Sequence, residues 1–200
     1  MGPATALVAN ARMYSATPEV REAWKVLLRW VLARADQGLA MMCGLPYAQR
    51  EVTPTLVAAP VPSPSRYGGA PVYFTDIVVR ADAPFKTLED TFGDTVGYTL
   101  ADSMSGGVAF ANHLVPYRAR EGMRLYTKAV GNLIHARGVI KALVDGRIDV
   151  GPLDSYYHDL LRHNAPLLAA QVRVVASTGP MPIPPLVATA RRPVPSFEEF

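Results

Sequence analysis

The chain has one cysteine, Cys43, in 200 residues. An intramolecular disulfide is therefore excluded, and cysteine usage leaves the redox compartment open. Charge is also scarce: 18% of residues are charged and the formal net charge is only +3. The densest basic group, Arg118, Arg120, Arg124 and Lys128, reads as a solvated face rather than a nucleic-acid stripe. Zinc-finger spacing, a nucleotide-binding glycine loop and heptad runs are all missing, so no nucleic-acid partner is expected. No stretch reaches the roughly 18 apolar residues of a membrane helix, so no direct membrane insertion is expected. His113, His158 and His163 show no metal-ligand spacing, and the last two, five apart, cannot share one helix face. Neither a metal nor a cofactor is expected. Residues 1–10 lack a basic n-region and an apolar h-region. That start reads as either a signal peptide already removed or a cytoplasmic protein.

Half of the residues are hydrophobic, which is ample for a core and argues against wholesale disorder. The first strand is expected over 5–13. Thr17 as a cap, Pro18 in the first turn and Glu19 at the positive end of the dipole then open a helix. Val20, Trp24, Leu27, Leu28, Val31 and Leu32 continue it at helical spacing to about residue 35. Strands follow over 38–43 and 53–61, and the Pro-, Ser- and Gly-rich stretch 60–69 is a loop. The β-branched and aromatic run 72–80 is the clearest strand of the first half. Beyond it, short units alternate. Strands are expected at 95–99, 125–130, 148–152, 172–177 and 186–190, and helices at 87–92, 105–114, 135–144 and 155–163. The final Glu198-Glu199-Phe200 reads as the start of a helix. Such alternation predicts an α/β architecture with parallel pairing and helices on both faces.

Chemistry concentrates at a few junctions. Ser103-Met104-Ser105-Gly106-Gly107 lies between an expected strand and an expected helix. Hydroxyls followed by glycines there suit an oxyanion, because first-turn N–H groups point outward, the dipole favours negative charge and glycine permits close approach. Simple capping by Ser105 is the plainer alternative. Cys43-Gly44 sits in a second strand-to-turn junction, where a ligand contact and a tight turn with a buried thiol both fit. Asp154, just beyond a strand's carboxyl end, can cap the next helix or accept from a ligand. His135 can donate to an anion or merely cap. No catalytic nucleophile–base pair is evident.

In this order the motifs resemble the phosphate/phosphonate-type substrate-binding proteins of ABC importers. The matching stretches include Met13-Tyr14, Cys43-Gly44-Leu45-Pro46-Tyr47 and Tyr73-Phe74-Thr75. They continue with Ser103-Met104-Ser105-Gly106, the Gly131–His135 stretch, the run from Gly146 to Asp154, and the Pro182–Val187 connector. The resemblance implies the two-lobed type 2 periplasmic binding-protein fold, with mixed sheets flanked by helices. Lobe one would comprise 1–80 and 184–200 and lobe two 81–183, joined by a hinge of two crossing segments. It implies closure on a small anionic ligand for uptake through an ABC permease. Ligand contacts would fall on Tyr73, Thr75, Ser103, Met104, Ser105, Gly106, His135 and Asp154, with Tyr14, Cys43 and Gly44 as secondary contacts. Met104 stands where the family has threonine, and Thr75 where it has serine. The family role implies a periplasmic location. An enzyme or ligand sensor on the same fold, acting on a small carboxylate or aromatic anion, is the alternative. A homodimer contact on the short first half is a further expectation.

Overall fold

A computed structural model of the chain describes residues 9–33, 38–121 and 124–188. The chain divides into two compact units, Met1–Pro60 with Pro184–Phe200, and Val61–Ile183.

In the first unit, β1 (Ala9–Asn10) leads through a 3-10 turn to α1 (Pro18–Leu32). β2 (Leu39–Met41), α2 (Gly44–Ala48) and β3 (Leu56–Ala58) follow. α1 starts as its sequence dictates, with Thr17 Oγ1 accepting from the Val20 N–H at 3.4 Å and Pro18 in the first turn. Leu28 of α1 packs with Ala11, Leu39 and Leu186, and Trp24, Val31 and Leu32 cover that cluster. The return strand Leu186–Ala188 inserts between β2 and β3, antiparallel to both, while β1 pairs parallel with β2. Of the strand expected over 5–13, Ala9–Asn10 is a strand and Arg12–Tyr14 is the 3-10 turn, and 5–8 lie outside the described residues. The helix start expected at 198–200 also lies outside them.

The second unit begins with β4 (Val72–Tyr73), β5 (Thr75–Arg80) and β6 (Thr95–Gly97). A π-helical turn, Met104–Val108, runs directly into α3 (Ala109–His113), followed by α4 (Val115–Glu121). Then come β7 (Lys128–Val130), α5 (Ala136–Val144), β8 (Val150–Asp154) and α6 (Ser155–Asn164). α7 (Pro166–Ala169), β9 (Val172–Ser177) and β10 (Met181–Pro182) complete it. The main sheet has the order β7-β6-β8-β5-β9. β6 is parallel to β7 and β8, whereas β5 is antiparallel to β8 and β9. The sheet is therefore mixed, and the parallel pairing read from the alternation holds for its β7-β6-β8 part only. α5 buries Ala136, Val139, Ile140, Ala142 and Leu143 and packs on β8 and β5. Each of its larger apolar side chains contributes on the order of 1.5–3 kcal/mol. A second cluster, including Ile77, Val79, Phe110, Leu114, Tyr126 and Val150, joins the sheet to α3.

The sequence divides the chain at residue 80, and the observed contacts divide it at 60. The reason is β5, which lies between β8 and β9 in the second unit's sheet. Residues 87–92, expected as a helix, hold only the 3-10 turn Glu89–Thr91.

Candidate anion-binding site

β6, β7 and β8 run in one direction, so the chain leaves all three at the same edge of the sheet. Each exit delivers residues that the sequence singles out. After β6 comes Ser103 to Gly106, after β7 comes His135 at the start of α5, and β8 ends on Asp154 at the start of α6. Open α/β sheets bind ligands at this edge.

The β6 exit is tightly built. The Thr99 N–H donates to the Gly106 carbonyl at 2.9 Å, and the Gly106 N–H donates to Ser103 Oγ at 3.2 Å. The Val108 N–H reaches the Ser103 carbonyl at 3.0 Å, which closes the wide first turn. Position 106 has to be glycine, because a Cβ there would lie 1.8 Å from Thr99 Oγ1. The helical run starts at Met104, so the N–H groups of its first turn have no intrahelical acceptor. Ser103 Oγ spends a lone pair on Gly106, which leaves its O–H to donate.

β5 braces this loop. Thr75 is fully buried, and its Oγ1 donates to the Ser105 carbonyl at 2.9 Å. Thr75 also sits opposite Asp154 in the β5–β8 ladder. Thr75 thus spends its hydroxyl proton inside the protein and acts as a support for the loop. Tyr73 is 1% exposed, in β4. Asp154 caps α6, its Oδ1 accepting from the Tyr157 N–H at 3.0 Å. His135 caps α5, its Nδ1 accepting from the Gly138 N–H at 3.0 Å. A neutral imidazole accepting at Nδ1 carries its proton on Nε2, as a donor. Just before it, Asn132 and Ile134 have positive φ, 57° and 66°, and for a β-branched residue that region is strained.

The secondary candidates belong to the first unit. Tyr14 is fully buried in the 3-10 turn, Cys43 is a half-buried free cysteine that precedes α2 without a side-chain cap bond, and Gly44 is the first residue of α2.

Asp76, the residue after Thr75, is fully buried and anchors a network that sequence reading missed. Its carboxylate accepts from Arg66 Nη1 at 3.1 Å and Nη2 at 3.1 Å, from His158 Nδ1 at 2.9 Å and from Ser177 Oγ at 2.9 Å. Burial alone would raise its pKa, but the bonds from His158 and Arg66 outweigh that and hold it at about 2. Arg66 also pairs with Asp159 at 2.8 Å and donates to the Ser155 carbonyl at 3.0 Å. Tyr67 donates to Asp159 at 2.6 Å, and burial, followed by that bond, pushes its phenol up. Ser155 Oγ accepts from the Phe74 N–H at 2.8 Å. The network therefore ties β5 to the start of α6, beside Asp154. One signal was available in sequence: a single carboxylate within an otherwise apolar strand has to meet a counter-charge.

The family model described as ABC transporter, phosphonate, periplasmic substrate-binding protein matches residues 34–199. The chain belongs to this family. Membership favours the solute-binding reading over the enzyme and sensor readings. No curated protein matches the sequence. Among solved structures, the chain is similar to a binding protein component of an ABC phosphonate transporter from Pseudomonas aeruginosa. The TM-score is 0.68 at 16% identity, covering 91% of this chain and 68% of that one. A Xanthomonas citri protein bound to a chloride ion gives a TM-score of 0.54 at 20% identity, covering 94% and 78%. PhnD1 from Prochlorococcus marinus, in complex with methylphosphonate, gives 0.54 at 14% identity, covering 82% and 61%. At such identities the likeness carries the fold, that of the type 2 periplasmic binding proteins. Phosphonate-family binding proteins hold small solutes and work with ABC permeases, and the donors at this edge suit the first of those tasks.

Proposed function

We propose that this phosphonate-family binding protein holds a phosphonate, or a closely related small oxyanion, at the carboxyl edge of β6, β7 and β8. In this reading it passes the solute to an ABC permease and performs no chemistry on it. The observation that carries the reading is the bond from Thr75 Oγ1 to the Ser105 carbonyl. It fixes the Ser103–Gly106 loop against β5, so its donors are ordered before a ligand arrives. Preorganised donors cost less to bind with, because little loop entropy is lost. Ser103 and Ser105 supply hydroxyls, the first turn supplies N–H groups, and His135 supplies Nε2–H. These replace the water around an oxyanion. Met104 adds an apolar contact suited to a substituent on phosphorus. The homodimer contact has no supporting observation and forms no part of this reading.

A thermal-shift screen with phosphate, methylphosphonate, aminoethylphosphonate, sulfonates and aromatic carboxylates tests the proposal. A ligand at about one hundred times its dissociation constant adds roughly 2.7 kcal/mol, a shift of several degrees. The expected result is a shift with phosphonates that falls in Ser105→Ala. No shift with any anion, or a shift untouched by both Ser105→Ala and His135→Ala, overturns the site.

A further inference from the structure

Lys25, Arg66, Arg80, Lys141 and Arg162 each pair with a carboxylate. Three other cations share one space. Arg118 of α4, Arg124, and Lys128 at the amino end of β7 line one cavity of about 430 Å³. Among the described residues its lining contains no carboxylate. Among the described residues none of the three cations makes an ion pair. All three are exposed, so the cavity opens to solvent. Its floor is firm: Tyr126 is 6% exposed, with its hydroxyl 3.1 Å from Thr91 Oγ1, and Val96 of β6 lies beside it. Thr127 also lines it, with its hydroxyl donating to the Asp94 carbonyl at 3.2 Å.

β7 is the outer strand of the sheet, and this cavity lies at its amino end. The site proposed above uses the carboxyl end, so the two are separate. Three like charges around one space repel each other until an anion enters, and two of them are guanidinium forks that pair with phosphate oxygens two at a time. The volume falls in the range of small-molecule pockets. A single oxyanion satisfies one fork and leaves the other cations facing each other. We propose that this cavity is a second anion site, for a small ligand with two or more adjacent phosphate groups, an oligophosphate of diphosphate size.

The test is calorimetric titration of the full chain at low salt with diphosphate, orthophosphate and citrate. Diphosphate is expected to bind at least tenfold more tightly than orthophosphate, and more weakly as salt rises, because exposed charges are screened. In Arg124→Gln with Lys128→Gln, diphosphate affinity should fall at least tenfold while the methylphosphonate thermal shift stays. In Ser105→Ala, diphosphate affinity should stay. The substituted residues are exposed, so an unchanged unfolding midpoint is expected and verifies the fold. Absence of diphosphate binding at millimolar concentration overturns the proposal, as does binding lost in Ser105→Ala but kept in the double variant. Citrate binding as tightly as diphosphate overturns the oligophosphate assignment.

Discussion

Thr75 and Asp76 are neighbours on β5 and face opposite sides of the sheet, as successive strand residues must. On one side Thr75 braces a loop of hydroxyls and first-turn N–H groups. On the other, Asp76 meets Arg66, His158 and Ser177, and its charge is matched inside the protein. Both are polar, ordered and close to the start of α6. The difference lies in where their partners come from. A polar cluster that satisfies itself holds the fold, and one that leaves donors facing outward is equipped for a ligand. Substitutions on the two sides should therefore separate stability from affinity.

The largest effect is expected from Asp76→Ala. It leaves buried His158 without its carboxylate and the part-exposed Arg66 with Asp159 as its one carboxylate, and breaking a buried pair costs about 3 kcal/mol. Urea unfolding measures this directly. A loss below about 1 kcal/mol would remove the network from the list of fold-holding contacts. The same carboxylate makes stability depend on pH. Its folded pKa of about 2 lies below the ordinary 3.8. Its contribution is thus fully present above about pH 3.8 and disappears as pH falls toward 2. That difference corresponds to roughly 2 kcal/mol. Asp76→Asn should flatten the fall in stability across this window relative to the parent. An identical acid limb in both proteins would assign the effect to other groups.

Gly106→Ala comes next, and it acts on the open side. The added methyl meets Thr99 Oγ1 at 1.8 Å, within the turn that shapes the loop. Overpacking of this kind costs about 1–3 kcal/mol and displaces the backbone. The phosphonate-induced thermal shift should vanish with it. A retained shift would mean that the ligand does not use this turn.

The open side was more legible in sequence than the closed one, for a physical reason. Ser103, Ser105 and Gly106 stand together in the chain, and Asp154 and His135 announce themselves as caps at helix starts. Their roles are set by neighbours within a few residues. The closed network is assembled from Arg66, Asp76 and His158, which only the tertiary fold brings together. Likewise, nothing local shows that β5 pairs with β8 and β9. α4 was not expected; its Pro116 occupies the second residue, where no intrahelical N–H bond is lost. The π-helical turn at Met104 has no sequence signature that separates it from an ordinary α turn.

The smallest predicted effect divides the two sides most cleanly. Thr75→Val keeps the shape of the buried side chain and removes only the bond to the Ser105 carbonyl. Stability should fall by about 1 kcal/mol, the scale of one hydrogen bond. If that bond orders the loop for its ligand, affinity for the phosphonate should fall as well, by about the same amount, seen as a roughly fivefold weaker dissociation constant. Asp76→Asn, one residue away, should lower stability and leave affinity in the folded fraction unchanged. Equal loss of affinity in both variants would dissolve the distinction, because it would make the whole of β5 a single support for the site. Loss in Thr75→Val alone would place the boundary between fold and function at a single peptide bond.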